Sequence, residues 1–437
     1  MYLQMSATAV TVDSAPLARP ERRPALAGAG VVTASMLASG GLIYVFHVGA
    51  ARALGTAAYG QIAVLWAAMF LAVLVLFRPL EQAASRAIAD RLARGEDAGS
   101  VVRSVVVLAL AALAALVPAY ALAWGTITDK LFLGNDAMSA MLAIGIVAYG
   151  VAYVSRGVVA GVRWFAGYGL GLMADAVARL AIAAPLFLVA SLEVAAVAVT
   201  VAGLVGGVVP LLVGRGRLRR AFADVERDRF PVRRVLRFAA PASAIAAADQ
   251  LLVNCAPILV MLEGGSTATA GLVFAATMLV RIPVYVFQGL ASSILPNLAH
   301  LNAGDDAGRF RRAALETGAF FLGAGALIVA FAAVAGPEAL RVVYGSGFEA
   351  GRTALVLLGA GVAAYLCATT FSQALLALGA SGRASAAWIA SAALFVALYY
   401  LWLPGSELDR VSTAFAVATF ADLAILGALL HRRARAT

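Results

Sequence analysis

The sequence contains little charge, little cysteine and almost no lysine. Charged residues make up 13% of the 437 residues, well below the roughly 25% of soluble domains. The polar intervals are too short to fold around a core of their own, so a separate soluble catalytic domain is excluded and no enzyme is expected. The two cysteines, Cys255 and Cys367, lie in apolar segments without a CxxC motif. Neither a disulfide nor a metal site is therefore expected.

Long apolar runs fill most of the chain. Hydrophobic residues account for 63% of the sequence, and a helix that spans a membrane needs about 20 mostly apolar residues. On that measure the sequence predicts an all-α polytopic membrane protein with about twelve spans. Their ranges are 29–50, 60–79, 102–124, 137–156, 168–190, 194–213, 236–261, 268–295, 314–336, 352–379, 385–403 and 410–430.

Basic residues are distributed unevenly among the connections between these spans. Of the 33 basic residues, 26 fall in the N-terminal tail, the even-numbered connections and the C-terminus, while five fall in the odd-numbered connections. The other two, Arg179 and Arg281, lie within spans. Because Lys and Arg are retained in cytoplasmic loops, both termini are predicted to be cytoplasmic.

The densest basic interval joins the two halves of the chain. Nine arginines lie between residues 213 and 237. Such a run could bind nucleic acid in a soluble protein, but its position between two sets of six apolar segments excludes nucleic acid. We expect contact with anionic lipid head groups. The predicted organisation is a disordered cytosolic tail over 1–28, a six-helix lobe over 29–213, a basic cytosolic linker over 214–235, a six-helix lobe over 236–430 and a basic cytosolic tail over 431–437.

The two halves share a sequence motif. The stretch GEDAG at 95–99 matches GDDAG at 304–308, and the same offset aligns Arg103 with Arg312. Since each half has an even number of spans, the repeats have the same orientation and are related by a pseudo-two-fold axis along the membrane normal. Such duplication is typical of a transporter with its site between two lobes, although duplication alone does not require transport.

Several segments together resemble one family. The stretch ARALGTAAYG at 51–60 resembles the R-x-LG-x-x-x-YG element of the polysaccharide-transport branch of the multidrug/oligosaccharidyl-lipid/polysaccharide (MOP) flippase superfamily. Four further segments resemble that branch and follow in the expected order. They are RPLEQAASRAIADRL at 78–92, ADQLLVNCAPILV at 248–260, MLVRIPVYVFQGLASSILPNLA at 278–299 and VVYGSGFEAGRTAL at 342–355.

The resemblance implies two pseudo-symmetric six-helix bundles in a V around a central cavity. It also implies a bacterial plasma-membrane protein that moves a polyprenyl-pyrophosphate-linked oligosaccharide to the outer leaflet, with polysaccharide-assembly proteins as partners. No cofactor is implied, and coupling to H⁺ or Na⁺ remains open. The chain lacks the two extra C-terminal spans of lipid II flippases. A cation-coupled exporter of drugs or small metabolites from the same superfamily is the alternative. A polymerase would need a sizeable catalytic loop, which the short outer connections do not provide.

Two arginines are the candidates for binding the substrate pyrophosphate. A charge inside a span is costly and therefore needs a reason. Arg281 precedes Pro283, which should break the helix and free backbone groups. Its guanidinium could hold the pyrophosphate through bidentate hydrogen bonds, or it could bind a neighbouring carbonyl. Arg78 precedes Pro79 near the predicted cytoplasmic end of the second span, where it either receives the head group or snorkels to the interface.

Acidic residues within spans form a second set of candidates. Asp175 and Arg179 stand four residues apart, which favours an ion pair on one helix face. Asp249 has Asn254 nearby but no base on its own helix. A buried carboxyl of this kind would either bind H⁺ or Na⁺ together with Asn254 or pair with an arginine across the bundle. Asp422 stands alone in the twelfth span and receives no predicted role.

Aromatic and amide side chains within the spans could stack on sugar rings or bind hydroxyl groups. Tyrosines also lie at membrane interfaces, so we expect only about a third of this set to line the cavity. Tyr285 and Gln288 complete the predicted substrate site with Arg281 and Arg78. The whole set is Tyr44, His47, Tyr149, Tyr153, Tyr285, Gln288, Tyr365, Thr369 and Gln373.

Overall fold

The chain is helical throughout the part that the structure describes. The computed structural model describes residues 22–222, 230–281, 307–377, 380–401 and 404–434, and no strand occurs among them. Helices are expected here because a helix satisfies its backbone hydrogen bonds internally within lipid. They are α1 Arg22–Leu76, α2 Arg78–Ala93, α3 Gly99–Phe132, α4 Asp136–Gly161, α5 Phe165–Ala183, α6 Leu192–Val213, α7 Arg215–Ala221, α8 Val232–Asn254, α9 Ala256–Leu262, α10 Thr267–Arg281, α11 Ala307–Tyr344, α12 Arg352–Ala377, α13 Ser381–Tyr400 and α14 Glu407–Ala434.

The helices account for the predicted spans. Nine helical stretches of the described residues are long and apolar enough to cross a membrane, which confirms a polytopic all-α membrane protein. The first of them, Gly30–Ala93, contains both the first and the second predicted span. The seventh span corresponds to α8 and α9, which are separated at Cys255. The eighth corresponds to α10, and its second half lies outside the described residues.

Gly55 takes the place of the predicted loop between the first two spans. Its φ of 74° and ψ of 178° are not helical, and glycine adopts positive φ without the steric penalty of a side chain. The ring centroids of His47 and Trp66 lie 4.5 Å apart, whereas a straight helix would separate these residues by about 28 Å. The helix α1 therefore doubles back at Gly55, with a first arm over 22–54 and a second arm over 56–76.

The second arm of α1 continues into α2, so Arg78 lies within a long helical segment rather than near its end. Only Phe77 separates the two helices, and Glu81 N donates to Phe77 O over 2.9 Å across the junction. Pro79 lies in the first turn of α2, where its missing N–H leaves no hydrogen bond unmade. The helix therefore extends to Ala93, well beyond the predicted end of the span at residue 79.

The helix α1 begins before the predicted end of the N-terminal tail. Residues 22–28, assigned to the tail from the sequence, form its first turns. Pro24 lies at the start of the helix, where proline is tolerated, and the alanines and leucine that follow are good helix formers. Residues 1–21 lie outside the described residues, so the rest of the disordered tail stays a prediction.

The packing of helices repeats between the two halves. In the first half α3 packs on α4, and α4 and α5 both pack on α6; in the second half α11 packs on α12, and α12 and α13 both pack on α14. The helices α4 and α12 are of equal length and lie 216 residues apart at both ends. We call α1–α6 the N-terminal bundle and α8–α14 the C-terminal bundle.

The two ends of the molecule differ in what they carry. At one end α1 begins and α6 ends, since Gly28 contacts Phe165 and Gly214 contacts the neighbouring Trp164. We call it the linker end, because the connection between the bundles lies there. The opposite end, the far end, carries Gly55 and the turn between α9 and α10.

The linker is attached to the N-terminal bundle. The guanidinium groups of Arg91 and Arg234 each lie 5.5 Å from the centroid of the Phe230 ring. Ser104 Oγ donates to Phe230 O over 2.7 Å. Residues 223–229 are not described, and α8 begins at Val232, inside the predicted linker over 214–235. The segment around Phe230 is therefore held by cation–π and hydrogen-bond contacts.

An ion pair at the far end predicts a small pH dependence of stability. Arg410 Nη1 donates to Glu263 Oε1 over 2.6 Å, and this bond holds the pKa of Glu263 below its ordinary value. A carboxyl with a lowered folded-state pKa stabilises the fold above its unfolded pKa, and this contribution is lost as the pH falls through the folded-state value.

We therefore expect Glu263→Gln to lower the free energy of unfolding by about 1 kcal/mol or less at neutral pH. The difference in melting temperature between the wild type and this variant should shrink as the pH is lowered. A difference in melting temperature that stays constant as the pH is lowered would contradict this account of the ion pair.

Candidate functional site

A cavity of about 170 Å³ lies between the two bundles. The second arm of α1 forms one wall, and α8, α10, α12 and α14 form the others. Its surface is mostly aromatic and aliphatic, and Arg281 is the charged side chain among the described lining residues. They are Trp66, Phe70, Leu74, Gln250, Val253, Asn254, Met278, Arg281, Val362, Tyr365 and Phe415.

Arg281 lines this cavity and also binds the end of α8. Its Nη1 donates to Asn254 Oδ1 over 3.4 Å, and its Nη2 donates to Val253 O. That carbonyl is available because residue 257, its helical partner four positions later, is a proline without an N–H. The guanidinium thus makes the carbonyl contact expected of a structural arginine and is also part of the cavity wall.

Asp249 and Asn254 are connected through Gln250 rather than facing a shared ligand. Gln250 Nε2 donates to Asp249 Oδ2 over 2.9 Å, and Asn254 Nδ2 donates to Gln250 Oε1 over 2.5 Å. The hydroxyl of Tyr365 donates to Asp249 Oδ1 over 2.7 Å. Since Asn254 Oδ1 accepts from Arg281, an ion bound by both residues would have to displace these bonds. Ion coupling at Asp249 and Asn254 stays a prediction.

Arg78 approaches the same group of residues from α2. Its side chain is exposed, and the carboxylates of Asp249 and Glu81 lie near enough to attract it. The packing of α2 against α8 produces this approach between the two bundles. Tyr285 and Gln288 lie outside the described residues, so their place beside Arg281 stays a prediction.

Asp175 and Arg179 belong to a separate network buried inside the N-terminal bundle. Arg179 Nη2 donates to Asp175 Oδ1 over 2.6 Å, and Arg156 Nη2 donates to Asp175 Oδ2 over 3.4 Å. The Tyr149 hydroxyl donates to Asp175 Oδ1 over 3.1 Å and accepts from Arg179. The ion pair expected from the four-residue spacing is therefore present, and α4 adds a second arginine and a phenol to it.

Two arginines share one carboxylate in this network, and Glu81 on α2 lies near enough to attract Arg156 as well. Arg156 and Arg179 are buried, and neither guanidinium can lose its proton. The guanidinium of Arg179 lies 4.7 Å from the centroid of the Trp66 ring, which stabilises a cation that has lost its water. Trp66 is shared between this network and the wall of the cavity.

The position of Arg156 was predicted wrongly from the sequence. The distribution of arginines assigns it to a cytoplasmic connection, but it lies in α4 with 7% of its surface exposed. In the sequence, the spacing of Arg156 from Tyr149 could have indicated its place, because residues seven positions apart share a helix face. That face is the one turned towards Asp175 on α5.

The two bundles are in direct contact at the far end. A Cβ on Gly60 would lie 1.7 Å from Thr267 O, and a Cβ on Gly271 would lie 3.0 Å from Gly60 Cα. The second arm of α1 and α10 therefore cross with their backbones touching, as small residues allow. Nearby, Arg52 Nε donates to Val343 O over 2.8 Å. A cation is favourable there because α11 ends at the next residue.

Aromatic rings from both bundles surround this crossing. The Tyr59 ring lies 5.8 Å from that of Phe348 and 6.4 Å from that of Tyr344. Tyr44 packs edge-on to Tyr344 at 6.2 Å, and His47 Nδ1 lies 3.3 Å from the Tyr59 hydroxyl. Of the predicted cavity set, Tyr44 and His47 thus lie at the far-end contact, while Tyr365 lines the cavity.

The cavity can bind a ligand that has both an anionic and a ring-shaped part. A guanidinium, two amides and a phenol provide polar contacts, and the rings of Trp66, Phe70 and Phe415 provide flat apolar surfaces. In the described part of the chain, no group of three or more His, Cys, Asp or Glu side chains is placed to hold a metal ion. The geometry is that of a binding chamber between two bundles.

Comparison with known proteins identifies the family. The sequence model of the polysaccharide biosynthesis protein family matches residues 25–302. An uncharacterized protein of Mycobacterium tuberculosis is 28% identical over 252 residues, so the match spans 57% of this chain and 57% of that relative.

Solved structures show the fold. A multidrug resistance MATE family transporter of the MOP superfamily in an inward-facing conformation aligns with a TM-score of 0.71 at 15% identity, covering 92% of this chain and 98% of that one. A multidrug resistance MATE family transporter in an outward-facing conformation aligns with a TM-score of 0.64 at 16% identity, covering 94% of this chain and 96% of that one. The chain belongs to the polysaccharide biosynthesis protein family, and its fold is that of MATE transporters of the MOP superfamily.

Proposed function

We propose that this transporter flips a polyprenyl-pyrophosphate-linked oligosaccharide from the cytoplasmic to the outer leaflet for the synthesis of cell-surface polysaccharide. The observation that carries the proposal is a guanidinium set among aromatic rings in one cavity between the bundles. Guanidinium groups bind phosphate oxygens through paired hydrogen bonds, and aromatic rings pack on the apolar faces of sugars. A sugar joined to a pyrophosphate presents both features.

The charge of the cavity supports an anionic substrate. Arg281 is the charged side chain among the described wall residues and is positive, while Arg78 beside the cavity lies near the carboxylates of Asp249 and Glu81. An exporter of organic cations would be expected to place a carboxylate in the wall. The lining residues that the structure describes include none, which favours the flippase over the exporter.

In this proposal the linker end faces the cytoplasm of a bacterial cell. The start of α1, the arginines of α7 and the end of α14 lie at that end, and positively charged segments face the cytoplasm in plasma-membrane proteins. The far-end contact would then close the outer side, so the conformation loads from the cytoplasm. Separation of the second arm of α1 from α10 at Gly60 and Gly271 would release the substrate outside.

The linker would also hold the protein against anionic lipid. The helix α7 carries Arg215, Arg217, Arg219 and Arg220, and each basic residue near a charged leaflet contributes about 1 kcal/mol. Proteins of polysaccharide assembly are expected partners, since the flipped oligosaccharide must be polymerised or transferred on the outer side.

Replacing Arg281 tests the proposal. Loss of a charge-assisted hydrogen bond costs about 1.5–3 kcal/mol, so Arg281→Gln should slow flipping roughly 10- to 150-fold. Arg281→Lys should retain part of the activity, because lysine keeps the charge but cannot bind two oxygens in the same plane. Flipping is measured in proteoliposomes as the access of a membrane-impermeant sugar oxidant to a labelled lipid-linked oligosaccharide.

Arg341→Gln provides the matched control, because Arg341 is exposed near the end of α11 and away from the cavity. This variant should flip at the wild-type rate. Normal flipping by Arg281→Gln, with unchanged folding, would overturn the proposed role of Arg281.

A further inference from the structure

The C-terminal bundle contains a polar position that neither the cavity nor the far-end contact uses. Asp422 on α14 is 1% exposed, and Ser391 on α13 lies within hydrogen-bonding reach of its carboxyl. Ser391 is also 1% exposed. Among the described residues neither side chain has another hydrogen-bond partner. Two buried polar side chains thus face each other inside the bundle with only each other as partners in that part of the chain.

The corresponding position of the N-terminal bundle is filled differently. The 216-residue offset between α4 and α12 also relates the starts of α5 and α13. It aligns Asp175 with Ser391 and Tyr149 with Tyr365. Asp175 is neutralised by two guanidinium groups that keep their charge at every accessible pH. At the equivalent crossing in the C-terminal bundle, the facing helix provides the carboxyl of Asp422.

The surroundings of Asp422 do not offset a negative charge. The helices α12 and α13 pack extensively on α14. The titratable side chains in the middle of α12 are Tyr365 and Cys367, and α13 has none between Arg383 and Tyr399. On α14 itself, His431 is about 13 Å further along the helix. An ionised carboxylate with a single hydroxyl as its partner is strongly disfavoured in such a place, so the carboxyl takes up a proton instead.

The position of Asp422 connects it to the cavity. Phe415 lies seven residues earlier on the same face of α14 and lines the cavity. On α13, Ser391 follows Trp388 by three residues, and the Trp388 ring packs edge-on to the Tyr365 ring at 5.6 Å. The Tyr365 side chain is itself part of the cavity wall. A change in the shape of the cavity therefore acts on both helices that enclose Asp422.

We propose that Asp422 is a proton-binding site that exchanges one proton with water in each transport cycle. The carboxyl is protonated while the far end is closed, and it releases its proton when the bundles move and water reaches it. The exchange rests on the proposed alternating opening of the two ends. Sodium is disfavoured because Asp422 and Ser391 together offer three side-chain oxygens, fewer than the roughly six that a hard cation gathers.

Infrared spectroscopy of the purified protein tests proton binding without any substrate. The wild type at mildly acidic pH should show the carbonyl-stretch band of a protonated carboxylic acid that Asp422→Asn lacks. The control is Asp409→Asn, the same change on the same helix at a carboxylate bound to Ser406, and it should keep the band. If the wild type and Asp422→Asn give identical spectra in this region, the proposal is overturned.

A second variant keeps the test decisive if Asp422→Asn does not fold. Ser391→Ala removes the hydroxyl beside the carboxyl, so the band should move to higher frequency; an unmoved band counts against the site. Proton release is tested by holding the far end open with Gly60→Ala, in which the band should disappear. If the band persists in Gly60→Ala, the proposed proton exchange is overturned. These readouts need no oligosaccharide, so failure of the Arg281 test would reject the substrate and leave the proton site standing.

Discussion

Gly60→Ala should shift the protein towards a conformation that is open at the far end and should strongly slow transport. The added Cβ would lie 1.7 Å from the carbonyl oxygen of Thr267, so the two helices must move apart. Overpacking of this kind costs about 1–3 kcal/mol, which corresponds to a shift in population of roughly 5- to 150-fold. The conformation with the far end closed would then become the minor state. Transport slows because the cycle needs both this conformation and the open one.

The shift can be measured as a distance between spin labels at Lys130 and Glu349, two exposed positions at the far end of different bundles. Both native cysteines are buried, so labels can be attached through cysteines introduced at these positions. Gly41→Ala is the matched control, because the same substitution in the same helix meets no atom within 4 Å. Equal label distances in the two alanine variants would show that the glycine crossing does not set the conformation.

Asp175→Asn should destabilise the protein more than Arg179→Met, although the arginine is the larger side chain. Removing the carboxylate leaves Arg156 and Arg179 as two buried cations without an acid between them, and breaking a buried pair in this way costs about 3–5 kcal/mol. Removing Arg179 leaves the balanced pair of Arg156 with Asp175. That change costs about 1–2 kcal/mol through lost hydrogen bonds.

Thermal unfolding of the detergent-solubilised variants provides the comparison. The control is Asp90→Asn, since Asp90 is an exposed carboxylate on α2 and should unfold like the wild type. The order of the two melting temperatures is the result that matters. A lower melting temperature for Arg179→Met than for Asp175→Asn would mean that packing around the arginine outweighs the balance of charge.

The fold could be predicted from the sequence because its determinants are local. Apolar runs of sufficient length specify the spans, and the GEDAG and GDDAG motifs indicate the duplication that the packing of the two bundles shows. The bend at Gly55 was the exception. A sharp reversal needs only one residue with positive φ. A loop is usually recognised in a sequence by several polar residues in a row, and none was needed here.

The site was predictable where residues on one helix determine it. The pair of Asp175 and Arg179 follows from helical spacing. Contacts between distant segments were not predictable. Tyr365 reaches Asp249 across 116 residues of sequence, and no property of either residue alone indicates that partner.

The position of Trp66 has a consequence for how such a transporter can change its substrate. One indole ring contacts the guanidinium of Arg179 and also faces the central chamber, where it packs 4.3 Å from Phe70. A smaller residue at this position would uncover positive charge that is now hidden behind the ring. Evolution could thus alter the ligand preference of the chamber by mutating one codon, without introducing or removing an arginine.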